Sequence, residues 1–257
     1  MSRDWWIDEG DFAGAEHLDA AYVAGYEAKA QFDPTDDIVA LEALGMGPGS
    51  TVVDLGAGTG VFAFAAAATG ADVFAVDVSP AMTAVMRQRC RDEDIDNVTV
   101  TEAGLLSYEH EGPLADFVFS RNALHQLPDF WKVIALRRVA ALIKPGATFR
   151  LRDLAYDLEP DAVEATIDDW LANAWSDPTT GYVAEDLAEH LRTEYSTFTW
   201  LLEPMLERVG FEILDRTPPP TLYPCYTLRR QSHHVQLSPA GGGAASQSRR
   251  AASRSPG

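Results

Sequence analysis

The spacing of hydrophobic positions changes several times along this chain, and each change marks an element. In FDPTDDIVALEAL, Ile38, Leu41 and Leu44 recur at helical spacing. Asp33 is placed to cap that helix, Pro34 suits its first position, and Asp36 and Asp37 complement the positive end of its dipole. Gly45 to Gly49 end it, and upstream AAYVAGYEAKA sets Tyr22, Tyr26 and Lys29 at helical spacing. From residue 51 short apolar runs alternate with longer helical stretches. Strands are expected at 51–54, 72–77, 97–101, 116–120 and 148–154, helices at 61–69, 79–91 and 130–143, and a turn at Lys144-Pro-Gly146. This alternation predicts a parallel sheet wound with helices. Residues 160–208 carry Trp170, Trp175, Trp200, Tyr182 and Tyr195 without a strand signal, which predicts helices packed over one edge of the sheet. Gly210–Leu214 and Cys225–Leu228, joined through Pro218-Pro-Pro220, predict a closing antiparallel pair.

Composition narrows the class. The 257 residues are 46% hydrophobic and 23% charged, as in ordinary folded proteins, which excludes a fibre, a disordered chain and a disulfide miniprotein. The 20 basic and 39 acidic residues give −19, and only Lys29, Lys132 and Lys144 are lysines. Residues 231–257 hold Arg249, Arg250 and Arg254 and no acid, so the body to residue 230 carries −22 and the tail +3. A surface this anionic repels phosphate backbones and disfavours nucleic acid. The Ser-, Ala- and Gly-rich tail is expected to be disordered. Cys90 and Cys225 are too few for a metal cluster or a disulfide framework and fit a reducing cytoplasm, while no secretory signal or membrane span stands out.

The chemistry concentrates where strands meet helices. VVDLGAGTG ends a strand at Asp54 and opens into Gly56, Ala57, Gly58 and Gly60. Glycines there let backbone approach a ligand and leave N–H groups at the positive end of the next helix. The dinucleotide fingerprint G-x-G-x-x-G does not fit, because the third glycine comes one residue early and position 61 is Val. An acid directly before the loop would repel a diphosphate and attract an ammonium or sulfonium. In AVDVSPAM, Asp77 ends the second strand, where a carboxylate can accept from both ribose hydroxyls.

Four stretches, DLGAGTG at 54–60, VDVSPAM at 76–82, DFVFSRNALHQL at 116–127 and LIKPGATFRLRD at 142–153, jointly resemble the class I S-adenosylmethionine-dependent methyltransferases, in particular the methyltransferase-11-like small-molecule group. The resemblance covers residues 33–157, with a looser match to Arg230. It implies an α/β, Rossmann-like three-layer sandwich with a mostly parallel seven-stranded sheet, amino-terminal helices and a helical insertion before the last two strands. The expected layout is a helical cap at 1–45, a core at 46–230 with an insertion at 158–208, and a tail at 231–257. It further implies that the glycine loop holds the methionine part of S-adenosyl-L-methionine, Asp77 the ribose, and Val78 and Met82 the adenine surroundings. Many relatives place an acid near the end of the third strand against the adenine amino group. Here that position is Gly104, which leaves adenine to backbone groups or Leu105. Arg121 and Asn122, with Ala123, become neighbours of the methionine part and His125 a rim residue, either a structural hydrogen-bonder or a general base.

The function expected is methyl transfer to a small-molecule acceptor by in-line displacement, with S-adenosyl-L-homocysteine as product. Tyr22, Tyr26, Tyr195 and Trp200 are candidates to line the acceptor side. A nicotinamide-dependent oxidoreductase and a non-catalytic module that binds the same cofactor are the alternatives. No resident metal is expected, the protein is expected to act as a monomer or homodimer in the cytoplasm, and arsenite is set aside for want of a cysteine cluster.

Overall fold

The computed structural model describes residues 4–232; the expected disordered tail lies, from residue 233 on, outside them. Short helices α1 (Ala20–Val23) and α2 (Tyr26–Ala30) precede α3 (Thr35–Ala43). The core follows as β1 (Thr51–Leu55), α4 (Val61–Ala68), β2 (Asp72–Asp77), α5 (Pro80–Asp92), β3 (Val98–Glu102), β4 (Ala115–Arg121), α6 (Asp129–Leu142) and β5 (Ile143–Arg152). Then come β6 (Ala155–Tyr156), α7 (Val163–Ala172), α8 (Ala184–Thr193), β7 (Thr197–Phe198), α9 (Thr199–Arg208), β8 (Phe211–Arg216) and β9 (Cys225–Arg230).

Seven strands form one sheet in the order β3-β2-β1-β4-β5-β9-β8, with β9 antiparallel to both β5 and β8 and the other pairings parallel. The sheet is buried on both faces. Every residue of β1 is buried, Val52 in the cluster with Leu41, Phe62 and Phe119, and Val53 in the opposite cluster with Leu136, Phe149 and Leu206. A strand covered by helices on both sides carries apolar residues on both faces, as Val52, Val53 and Leu55 do here, with Asp54 the exception at the crevice end. Local signals set the helix starts. Ser79 accepts the Met82 N–H at 3.2 Å with Pro80 next to it, and α5 begins there. The chain builds β1 to β3 outward on one side and returns to place β4 and β5 on the other, so strand order reverses between β1 and β4. The carboxyl ends of those strands open a crevice at that switch point.

Several expectations need correction. Pro34 sits just before α3, whose first residue Thr35 donates its N–H to Asp33 at 2.9 Å. Leu44 is exposed. Asp37 does not serve the helix dipole from the surface: it is fully buried and takes Arg150 Nε at 2.8 Å and Arg152 Nη1 at 2.6 Å, clamping α3 to β5. A carboxylate buried against two guanidinium groups is strongly destabilising to remove, because the cations are left uncompensated. The 22–29 stretch is two helices broken at Gly25. Lys144-Pro-Gly146 lies inside β5, at a register shift between Ala115 and Phe117 of β4. Residues 155–156 and 197–198 form a small parallel pair with no counterpart in the hydrophobic pattern. α8 reaches the crevice mouth rather than a sheet edge: Lys29 pairs with Asp186 at 3.0 Å and His125 lies 2.8 Å from Glu194.

Candidate active site

The glycine loop is held by its own backbone. Gly56 and Ala57 N–H both donate to Val76 O at 2.9 Å, and Gly58 N–H donates to Asp77 Oδ2 at 2.7 Å. Gly56 has φ +75, and a Cβ there would lie 2.4 Å from Ala123 Cβ, so only glycine lets the loop after β4 close on the loop after β1. Gly60 has φ +89 and a Cβ there would meet Phe64 and Met86, so it serves packing at the start of α4.

Two adjoining cavities surround this loop. One is lined by Gly56, Gly58, Asp77, Val78, Met82, Gly104, Leu105, Arg121 and Asn122, among others. The second is lined by Asp54, Gly56, Ala57, Gly58, Arg121 and Tyr26, among others. Every cofactor residue expected from the sequence except Gly60 therefore borders one or other of these cavities, which share Tyr26, Gly56, Gly58 and Arg121. Asp54 is buried and its Oδ2 has no hydrogen-bond partner; burial, then the charge of Asp77, hold its carboxyl well above the usual carboxylate range. Burial also raises Asp77, against the lowering effect of the Ser79 and Gly58 N–H groups. Two carboxylates in adjoining cavities, one with an orphaned oxygen, call for a cationic or hydroxyl-rich ligand.

Glu9 stands in none of the sequence motifs. It belongs to a 3-10 turn at Glu9–Phe12, is buried, and accepts the Leu106 N–H at 3.0 Å and the Ser107 hydroxyl at 3.2 Å. A Cβ on Gly104 would stand 2.2 Å from the Glu9 carboxylate, so the absence of a side chain at 104 is what admits Glu9. The same cavity thus has an acid from the amino-terminal segment beside Leu105, and burial raises the pKa of that acid.

A third cavity, of about 740 Å³, opens beyond Asn122 and Gln126. Tyr22, Tyr26 and Tyr195 line it, as do His125, Tyr182, Tyr223, Lys29, His190 and Glu194. Trp200 does not: it is exposed on α9 and stacks on Phe198 with ring centroids 5.2 Å apart. Phe12, His17, Tyr26, Asn122 and Gln126 border both this cavity and the first. His125 is buried at its inner wall, Nδ1 2.6 Å from Asp153 Oδ1. Asp153 also accepts the N–H groups of Ala123, Leu124 and His125, which fixes the whole turn. Burial opposes charge on His125, but Asp153 and Glu194 outweigh it and hold the imidazole up to about 9. In that state the ring is charged and not a free general base.

A methyltransferase-domain family matches residues 52–146. The chain is 33% identical over 100 residues to phosphoethanolamine N-methyltransferase 2 of Caenorhabditis elegans, covering 38% of this chain and 22% of that protein. It is 33% identical over 108 residues to a ubiquinone biosynthesis O-methyltransferase of Xanthomonas campestris, covering 42% and 44%. The alignments therefore span less than half the length of these curated relatives. Among solved structures, magnesium protoporphyrin IX methyltransferase of Synechocystis with bound SAM superposes with TM-score 0.61 at 16% identity, over 89% of this chain and 100% of that one. Residues 52–146 thus match a methyltransferase domain, and the fold around them is shared with a SAM-bound methyltransferase.

Proposed function

We propose that the protein transfers the methyl group of S-adenosyl-L-methionine to a small-molecule acceptor held in the 740 Å³ cavity. The observation that carries this reading is the pair of acids under the glycine loop. Asp54, with its orphaned buried oxygen, would hold the ammonium of the methionine part, and Asp77, between Gly58 and Ser79, the ribose. Val78, Met82 and Leu105, which line the first cavity, would surround adenine, and Arg121, which lines both, would meet the carboxylate of the methionine part. S-adenosyl-L-methionine supplies an already activated sulfonium methyl, so the protein's part is alignment and exclusion of water.

Tyr22, Tyr26, Tyr182 and Tyr223 give the acceptor cavity an aromatic lining with hydroxyl ends, suited to a compact, partly polar molecule. The curated relatives named above act on both nitrogen and oxygen acceptors, and the aromatic lining fits either. Two acids facing the cofactor site oppose a nicotinamide dinucleotide, whose diphosphate they would repel. The acidic body is consistent with a small-molecule substrate rather than nucleic acid, and no helix among the described residues is long and apolar enough to cross a membrane.

Thermal unfolding with S-adenosylhomocysteine and with NAD tests the reading: the first should raise the transition and the second leave it unmoved. Stabilisation by NAD alone would overturn it. Asp77→Ala should weaken S-adenosylhomocysteine by about 1.5–3 kcal/mol, the worth of a charge-assisted hydrogen bond.

A further inference from the structure

We propose that His125, His190 and Glu194 form a binding site for one divalent first-row transition cation at the wall of the acceptor cavity. Their ligand atoms all lie within 4.8 Å of one another. His190 stands in the last turn of α8 and Glu194 follows it, four residues on, so one helical turn brings both to the same side. His125 arrives from the opposite wall, on the turn after β4.

The outward nitrogens of both rings are already engaged. His125 Nδ1 lies 2.6 Å from Asp153 Oδ1, and His190 Nε2 lies 2.9 Å from Ser196 Oγ. Partners of this kind orient ligating imidazoles and direct the free nitrogen at the metal. The inward nitrogens, His125 Nε2 and His190 Nδ1, converge on one oxygen, Glu194 Oε2, which is 2.8 Å from the first and in contact with the second. That oxygen is buried but lies off the hydrogen-bonding direction of both rings. Three donors are thus arranged about a shared point rather than paired.

Charge is compatible with this. Two carboxylates, Asp153 and Glu194, face two imidazoles; a cation would displace the proton from His125, and with both rings then neutral the set carries two negative charges in a largely buried place, which one divalent cation balances. Two imidazoles and one carboxylate suit Zn²⁺ or Co²⁺ better than Mg²⁺ or Ca²⁺. Three protein ligands leave a coordination position open, and all three residues line the 740 Å³ cavity. Gln126, whose Nε2 is 3.2 Å from His125 Nε2, would turn aside on binding. This site does not depend on which acceptor is methylated.

The test uses the full chain, stripped with a chelator and titrated with Co²⁺ while visible absorption is followed, with Zn²⁺ as competitor. One equivalent should bind at micromolar affinity or tighter, and His190→Ala and Glu194→Gln should each abolish saturation while keeping the S-adenosylhomocysteine thermal shift. Because His233 and His234 offer a second pair of imidazoles, the variant with both changed to Ala should still bind one equivalent. If His190→Ala or Glu194→Gln fails to fold, paramagnetic displacement of two imidazole signals in the wild type by Co²⁺, retained without His233 and His234, decides instead. Absence of saturable binding, binding that survives His190→Ala, or binding lost with His233 and His234 would overturn the proposal.

Discussion

Gly56→Ala probes the contact on which the site's geometry rests. The new residue would have to keep φ near +75, which costs an L side chain roughly 1–2 kcal/mol. Its Cβ would also stand 2.4 Å from Ala123 Cβ, where carbon atoms sit comfortably only at about 3.5–4.0 Å. The loop cannot simply back away, since both Gly56 and Ala57 donate to Val76 O. Opening that gap by more than an ångström is an overpacking cost of about 1–3 kcal/mol. Together these give about 2–5 kcal/mol, and at roughly 2–4 °C per kcal/mol for a chain of this size the melting temperature should fall by about 4–20 °C. The two costs separate in a double-mutant cycle. Ala123→Gly, added to Gly56→Ala, removes the collision but not the backbone strain, so it should restore about 1–3 kcal/mol relative to the sum of the single variants. Thermal unfolding of the four proteins measures this. A coupling near zero, or a Gly56→Ala protein that melts with the wild type, would show that the two loops are not in contact as described.

Asp54, raised by burial and by Asp77, binds a proton more readily in the free protein than beside a ligand's ammonium, so S-adenosylhomocysteine binding should release a proton. Its affinity should therefore rise with pH from the ordinary carboxylate range up to the raised value and then level off; calorimetry in two buffers of different ionisation enthalpy would detect the proton, and equal heats would refute the assignment. Glu9→Ala should leave the buried Leu106 N–H unpaired at a cost of about 1–3 kcal/mol. Limited proteolysis should then cut the first dozen residues sooner, with S-adenosylhomocysteine affinity lowered about tenfold, and an unchanged digest would refute the docking role.

The sheet was legible because burial on both faces leaves a plain mark: TVVDL, DVFAVD and ADFVFSR are short apolar runs bounded by glycine or acidic stretches. The glycine loop, Asp54 and Asp77 were legible for a related reason, since they sit where a strand must turn into a helix. Pairings between distant residues left no such mark. Asp36 and Asp37 look alike in sequence, yet Asp37 alone is buried against β5. Glu9 fits only because Gly104, far along the chain, has no side chain to exclude it. His190 and Glu194 show their helical spacing, but their meeting with His125 depends on where α8 comes to rest. Residues 155–156 and 197–198 are too few to display a period.

The amino-terminal segment has one further consequence. Phe12, His17 and Tyr26 are walls of the cofactor cavity and the acceptor cavity alike, and Ser79 holds the segment by donating to His17 O at 2.6 Å. Two ligands that share walls are thermodynamically linked, and linkage is reciprocal: whatever factor one applies to the other's affinity, it receives in return. An acceptor can therefore be recognised before its product is known, as the compound that shifts the dissociation constant of S-adenosylhomocysteine.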